Sequence, residues 1–178
     1  AVRDGFIFVA VKGASVNGHN FIKEAIEKGA KVIVAQDEFI NTTDVKDVIK
    51  VLANDSRKAS AEIAHNFYGL PSDKAKVVGI TGTNGKTTTA TLLYRIATAL
   101  GYKAGLIGTV ENIIVDERRP ALITTPSPIN LNKLLNEMAE KGCKYVFMEV
   151  SSHALDQNRV WGINFVGGIF TNLTHDHL

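Results

Sequence analysis

At 178 residues, 45% hydrophobic and 21% charged, the chain has enough apolar material for one medium domain or two small ones and is not a disordered tail. Its 20 Lys and Arg residues are scattered among 18 Asp and Glu residues, so the net charge of +2 does not indicate a nucleic-acid or membrane partner. The single cysteine excludes an internal disulfide, and neither a signal peptide nor an apolar run of transmembrane length is visible, so we predict a cytoplasmic protein.

The beginning of the chain predicts a small α/β unit. Apolar runs at residues 6–11 and 31–35 are of strand length, and the apolar residues between them recur at the spacing of a helix that Gly29 ends. Residues 48–51 indicate a third strand.

A helix and a breaker-rich segment then mark a domain boundary. The helix is predicted to be capped by one of residues 54–56, and the Gly, Pro and polar residues of 69–73 follow it. We therefore predict an N-terminal domain over residues 1–71 and a second domain over residues 72–178.

The second domain opens with a strand, a glycine-rich turn and a helix, which together form a phosphate cradle. Gly82 and Gly85 allow unusual backbone angles, and the helix N-terminus adds unpaired N–H groups and positive dipole. Lys86 is the predicted catalytic residue, because its cation would offset charge on the β- and γ-phosphates, and the Thr87 hydroxyl is a predicted Mg²⁺ ligand. The spacing is the short G-x-x-G-K-T, since Ile80 stands where a common P-loop has glycine. The predicted cofactors are ATP and Mg²⁺, and the predicted ATP-binding residues of this phosphate loop are Gly82, Thr83, Asn84, Gly85, Lys86, Thr87 and Thr88.

Further strands and one helix follow the phosphate loop. The predicted strands cover Ala104–Val110, Tyr145–Val150 and Phe165–Phe170. Between them, Asp116–Pro120 is predicted to be a charged turn at the solvated tip of a hairpin, and a helix is predicted to begin at an Asn130 cap and end at Gly142. This alternation predicts an α/β fold with a parallel sheet that is covered by helices on both faces.

Polar residues follow these strands at the sheet edge where ligands bind in such folds. Glu149 lies near the end of an apolar strand, and its burial would be costly unless a cation such as Mg²⁺, shared with Thr87, compensates. After the last strand, Asn172 is a predicted ATP contact and His177 a predicted ligand of a second Mg²⁺. Zinc is not favoured, because no Cys pair or H-x-x-x-H spacing accompanies the histidines.

Three segments together resemble the Mur ligases: Gly82–Thr88, Glu149–Leu155 and Thr171–Leu178. The resemblance covers essentially the whole chain. It is greatest to the members that add the third peptide residue to UDP-N-acetylmuramoyl-L-alanyl-D-glutamate in peptidoglycan synthesis. It implies that ATP phosphorylates the D-glutamyl carboxylate to an acyl phosphate, which the amine of a diamino acid then displaces. The UDP-N-acetylmuramoyl-dipeptide and a diamino acid are thus the implied partners.

Site residues carried over from the resemblance fall into two groups. Glu149 and His177 match the family's Mg²⁺ ligands. The positions that match its substrate contacts, the first three of them at the uracil pocket, are Ala14, Ser15, Val16, Thr124, Thr125, Ser151, Gln157 and Arg159.

Parts of the family pattern lie outside this sequence. An Asp-Ser-Arg segment would precede Ala1, and a carbamylated lysine and the domain that selects the added amino acid would follow Leu178. The chain is therefore predicted to be part of a longer ligase and inactive alone, and it does not specify meso-diaminopimelate or L-lysine. The alternatives are a ligase like folylpolyglutamate synthase or cyanophycin synthetase, a P-loop kinase or switch NTPase, and a nucleotide-binding module without turnover.

Overall fold

The computed structural model describes residues 2–13, 16–36 and 47–174. The chain divides into two compact units, Ala1–Ser60 and Ala61–Leu178. This division falls inside a helix, Ser56–Phe67. The domain boundary expected between residues 71 and 72 stays a prediction.

The first unit contains a three-stranded parallel sheet in the order β1-β2-β3. Its strands are β1 Ile7–Val9, β2 Val32–Ala35 and β3 Ile49–Leu52. A 3₁₀ turn, Gly18–Phe21, leads into helix α1, Ile22–Glu27, which connects β1 to β2. The backbone of Gly29, with φ of 95°, ends the helix as the sequence predicts. The small core consists of Ala10, Ile22, Ala25, Ala30, Ile33 and Ala35.

Helix α2, Ser56–Phe67, begins at an aspartate cap. The Asp55 carboxylate Oδ1 accepts hydrogen bonds from the backbone N–H groups of Arg57 at 2.9 Å and Lys58 at 3.1 Å. Of the three capping residues that the sequence allows, Asp55 therefore satisfies the exposed donors of the first turn.

The second unit contains a six-stranded sheet in the order β7-β6-β5-β8-β4-β9. Its strands are β4 Lys76–Thr81, β5 Ala104–Ile107, β6 Glu111–Ile114, β7 Glu117–Pro120, β8 Tyr145–Glu149 and β9 Phe165–Phe170. The four strands β5, β8, β4 and β9 run parallel, and β6 and β7 add an antiparallel edge. Its helices are α3 Lys86–Ala99, α4 Pro128–Glu140 and α5 Ser152–Asp156, preceded by a short 3₁₀ turn at Pro71–Asp73.

Two apolar layers cover opposite faces of this sheet, which confirms the predicted fold class. Successive residues of β8 alternate between them, with Val146 and Met148 in one layer and Phe147 in the other. The first layer includes Leu131, Leu135 and Met138 of α4, and the second includes Ala90, Tyr94 and Ala97 of α3. Among the described residues, no helix has both the length and the apolar character needed to cross a membrane.

The predicted hairpin is present as β6 and β7, but the turn predicted over Asp116–Pro120 is too long, because most of that segment is the edge strand β7. Val115, with φ of 62°, and Asp116 make the turn, and Arg118 then pairs opposite Ile113 of β6. Charge and a terminal proline are typical of turns, but an edge strand tolerates both because one side of it needs no hydrogen-bonding partner.

Ion pairs accompany these charges on the edge strand. Arg119 donates to Glu117 at 2.7 Å and to Glu137 of α4 at 2.6 Å. Hydrogen bonds from Arg119 and Lys141 lower the pKa of Glu117 to about 2. Strand β7, at the side of the sheet, is therefore held by a network of surface ion pairs.

Two further boundaries differ from the sequence prediction. Strand β5 ends at Ile107, so residues 108–110 form a loop instead of extending the strand to Val110. Helix α4 begins after Ser127, with Pro128 in its first turn, so Asn130 lies inside the helix and is not its cap. Proline fits the first helical position because its missing N–H would have no partner there.

Candidate functional site

The parallel strands of the six-stranded sheet end at one edge, and the site is built there. Ile80 of β4 pairs with Glu149 of β8, and Ile107 of β5 pairs with Met148. On the other side of β4, Thr81 pairs with Phe170. The segments that leave these strands therefore emerge next to one another, as the rule for the carboxyl edge of such sheets requires.

The phosphate loop joins β4 to α3 through two glycines in the left-handed region. Gly82 has φ of 133° and Gly85 has φ of 86°. Helix α3 then begins at Lys86, and the N–H groups of residues 85–88 donate to no group among the described residues. Four unpaired donors at the start of a 14-residue helix form a site suited to an anion.

Lys86 is folded back over this loop. Its Nζ donates to the Gly82 carbonyl at 2.6 Å and to the Thr83 carbonyl at 2.9 Å. It makes no ion pair with any described residue. The ammonium charge is therefore held at the mouth of the loop, and no carboxylate of the described part of the chain neutralises it.

Glu149 is the buried carboxylate of the site, with only 1% of its surface exposed. Its Oε2 accepts from the Thr87 hydroxyl at 2.8 Å and from the Thr109 hydroxyl at 3.0 Å, and its Oε1 accepts from the Thr109 N–H at 2.9 Å. All these donors are neutral, so the hydrogen bonds satisfy the oxygens but do not balance the charge.

These oxygens suit Mg²⁺, which takes hard oxygen ligands and commonly shares them with water and phosphate. Within residues 2–13, 16–36 and 47–174, no group of three or more His, Cys, Asp or Glu side chains forms a self-contained metal site. A cation here would be held by Glu149 and Thr87 together with non-protein ligands. His177, the other predicted ligand, lies outside the described residues.

Thr109 contributes to the site but was not predicted from the sequence. Besides its two bonds to Glu149, its hydroxyl lies 3.1 Å from the Thr124 hydroxyl. The only sequence signal is its position near the end of a predicted strand, since residues at the carboxyl ends of parallel strands line such sites. The overlong prediction for β5 placed Thr109 inside the strand and concealed that signal.

Five predicted substrate contacts of the second unit lie in one hydrogen-bonded group beside Glu149. The buried Thr125 hydroxyl donates to the Glu149 carbonyl at 2.9 Å and accepts from the Ser151 N–H at 3.0 Å. Arg159 donates to the Thr125 carbonyl at 2.9 Å and to Gln157 at 2.7 Å. Thr124 joins the group through Thr109. The guanidinium is thus held in place by neutral oxygens.

The predicted uracil contacts belong to the first unit. Ala14 and Ser15 lie outside the described residues. Val16 has an exposed side chain, and its carbonyl accepts from the Gly13 N–H at 2.9 Å. Their role at a uridine site stays a prediction.

The segment after β9 lies against the phosphate loop. Asn172 accepts from the Asn84 N–H at 3.0 Å through Oδ1 and donates to the Asn84 carbonyl at 3.1 Å through Nδ2. Its own carbonyl accepts from the Thr83 N–H at 2.9 Å. The structure therefore places this predicted nucleotide contact on the loop backbone. Thr88, another predicted contact, is exposed in the first turn of α3.

Replacing Gly82 by alanine should weaken ATP binding by about tenfold or more. A Cβ at this position would lie 2.2 Å from the Thr171 hydroxyl and 2.8 Å from the Asn172 carbonyl, so the loop must move, and the φ of +133° adds strain. Gly85→Ala is the matched comparison, because it shares a positive φ, 86°, but its Cβ would have no neighbour closer than 3.9 Å, so the difference between the two variants isolates the steric clash. Calorimetric titration with ATP and Mg²⁺ measures both variants, and an equal loss in the two would contradict the steric explanation.

Comparison with known proteins agrees with the Mur ligase resemblance of the three segments Gly82–Thr88, Glu149–Leu155 and Thr171–Leu178. Residues 80–178 match the family described as Mur ligase middle domain, and residues 1–68 match the one described as Mur ligase family, catalytic domain. A protein of Phocaeicola vulgatus named UDP-N-acetylmuramoyl-L-alanyl-D-glutamate--2,6-diaminopimelate ligase is 52% identical over 99% of this chain and 36% of its own length. A Clostridium tetani protein with the same name is 49% identical over the same shares. The chain thus spans about a third of the length of these relatives.

Solved structures share the fold. A UDP-N-acetylmuramoyl-L-alanyl-D-glutamate--2,6-diaminopimelate ligase matches with a TM-score of 0.78 at 24% identity, over 99% of this chain and 35% of that one. The MurF ligase of Thermotoga maritima in complex with ADP matches with a TM-score of 0.50 at 27% identity, over 85% of this chain and 30% of that one.

Proposed function

The chain belongs to the Mur ligase family, and from this premise we propose that it forms part of a ligase that adds 2,6-diaminopimelate to UDP-N-acetylmuramoyl-L-alanyl-D-glutamate. The names of the relatives, about half identical over nearly the whole chain, support this choice of substrates. The use of ATP on a UDP-linked precursor of peptidoglycan is expected in the cytoplasm, where both nucleotides are available.

The proposed reaction has two steps. ATP, bound with Mg²⁺, supplies the phosphoryl group that converts the D-glutamyl side-chain carboxylate into an acyl phosphate. The amine of the diamino acid then attacks the acyl carbon, an amide bond forms and phosphate leaves. The chain's own contribution is positioning and charge, as is general for phosphoryl transfer.

Each part of the site has a proposed role in these steps. The unpaired N–H groups of residues 85–88 bind phosphate oxygens, and Lys86 offsets the charge of the transferred group. Thr87 and Glu149 hold Mg²⁺. Arg159 binds an anionic group of the UDP-linked substrate, since its fork of donors suits a carboxylate or phosphate.

The observation that carries this proposal is the continuous chain of hydrogen bonds Thr87–Glu149–Thr109–Thr124. It connects the phosphate loop to the predicted substrate residues through the proposed metal ligand. A reaction that joins a nucleotide phosphate to a substrate carboxylate needs these three parts to be adjacent.

The intact protein tests the proposal with ATP, Mg²⁺ and UDP-N-acetylmuramoyl-L-alanyl-D-glutamate, while ADP and the amide product are measured together. We expect the amide product, and more than one ADP per enzyme, to form only when 2,6-diaminopimelate is also present. Equal ADP release without any amine would favour a kinase or NTPase instead. Product formed with L-lysine but not with 2,6-diaminopimelate would overturn the proposed acceptor.

A further inference from the structure

The segment that follows β9 is hydrogen-bonded to the phosphate loop. The Asn172 side chain makes a two-point contact with the backbone of one residue, since its Oδ1 accepts from the Asn84 N–H and its Nδ2 donates to the Asn84 carbonyl. An amide side chain can make this pairing because it carries a donor and an acceptor side by side. The orientations of the two peptide groups that flank the Asn84 Cα are thereby fixed.

This contact divides the N–H groups of the loop into two sets. Those of Thr83 and Asn84 point to Asn172, one to its backbone carbonyl and the other to its side chain. Those of residues 85–88 have no partner among the described residues. A phosphate bound at the helix N-terminus therefore meets the second set only, while the first set anchors the loop.

Neighbouring contacts strengthen the anchor. The Thr171 hydroxyl lies 2.6 Å from the Asn84 carbonyl, and the Thr174 N–H donates to the Thr83 hydroxyl at 2.9 Å. Gly82 approaches so closely that a Cβ there would lie 3.0 Å from the Asn172 nitrogen. Residues 171–174, directly after β9, and the phosphate loop thus form one hydrogen-bonded unit.

From these contacts we infer that Asn172 is a positioning residue, which acts on the nucleotide through the backbone of the phosphate loop rather than by touching it. The inference rests on the proposed function for its consequence, which is nucleotide affinity. The loop conformation that Asn172 is inferred to hold exists without any ligand. Loop conformation and nucleotide affinity can therefore be measured separately.

The first test is amide hydrogen exchange of the intact, ligand-free protein. In Asn172→Ala we expect the Asn84 N–H to exchange about tenfold faster or more, because its acceptor is lost. In Asn172→Asp the acceptor oxygen for this N–H remains, but a carboxylate oxygen replaces the Nδ2 that donates to the Asn84 carbonyl, so the protection should be intermediate between that of the parent protein and that of Asn172→Ala. Asn164→Ala is the matched control, because Asn164 precedes β9 and its side chain bonds Asp73 at 3.2 Å instead of the loop.

The second test is the affinity for ATP with Mg²⁺, measured by calorimetry. We expect Asn172→Ala to bind ATP about tenfold more weakly or worse and Asn164→Ala to bind it normally. Unchanged exchange of Asn84 in Asn172→Ala, together with lost ATP affinity, would mean direct contact and would overturn the inference. Failure of the ligase assay alone would leave the exchange result standing and would count against the proposed function instead.

Discussion

Replacing Lys86 by alanine should reduce amine-dependent ADP formation by about a thousandfold or more. Its Nζ is the cation of the phosphate loop, and the two carbonyls that it bonds, those of Gly82 and Thr83, are neutral. The ammonium is therefore available to a transferred phosphoryl group, and Lys86 is the one charged side chain of the loop, residues 82–88. Because the charge is needed most in the transition state, kcat should fall more than the affinity for ATP.

Lys144→Ala is the control for this substitution. Lys144 precedes β8 at the opposite edge of the sheet, where its Nζ lies 4.4 Å from the centre of the Tyr102 ring. Its loss removes the same charge from the protein without touching the site. Steady-state rates for both variants decide the matter, and a Lys86→Ala enzyme that turns over like Lys144→Ala would remove the basis for the proposed role.

Replacing Glu149 by glutamine should raise the Mg²⁺ concentration needed for activity and lower kcat by about a hundredfold or more. The side chain keeps its shape and loses only its charge. Its Oε1 can still accept from the Thr109 N–H, and the new amide nitrogen can donate to the Thr87 and Thr109 hydroxyls, since hydroxyls both donate and accept. The fold should therefore survive.

Two measurements separate the loss of a metal ligand from a loss of structure. Thermal unfolding of Glu149→Gln without Mg²⁺ should occur at a temperature no lower than that of the parent protein, because an unpaired buried charge is removed. Titration of activity with Mg²⁺ should shift for Glu149→Gln but not for Glu140→Gln, whose carboxylate is exposed at the end of α4. Identical Mg²⁺ dependence in the two variants would exclude Glu149 as a ligand.

Much of the second unit is predictable from sequence because its parallel strands are buried on both faces and appear as continuous apolar runs. Strand β9, Phe165–Phe170, has the predicted ends, and β8 stops one residue earlier than predicted. The edge strand β7 carries no such signal, since three of its four residues are charged. Its strand character comes from pairing with β6, which local composition does not specify.

The site shows the same division between local and distant information. Thr87 and Glu149 are 62 residues apart, yet a glycine loop after one parallel strand and a carboxylate at the end of another predict their approach. Thr109 could not be ranked above other threonines, because its importance depends on β5 lying directly beside β8. The order of strands is a property of the folded sheet, and the spacing of residues in the sequence does not specify it.

The charged edge strand also affects how copies of the protein meet at high concentration. A free strand edge exposes unpaired N–H and C=O groups that can capture a strand of another molecule and start aggregation. On β7, Pro120 offers no N–H, and the guanidinium groups of Arg118 and Arg119 would face their own counterparts or lose hydration in such a contact. This side of the sheet is therefore protected against intermolecular strand addition by the same residues that make it resemble a turn in the sequence.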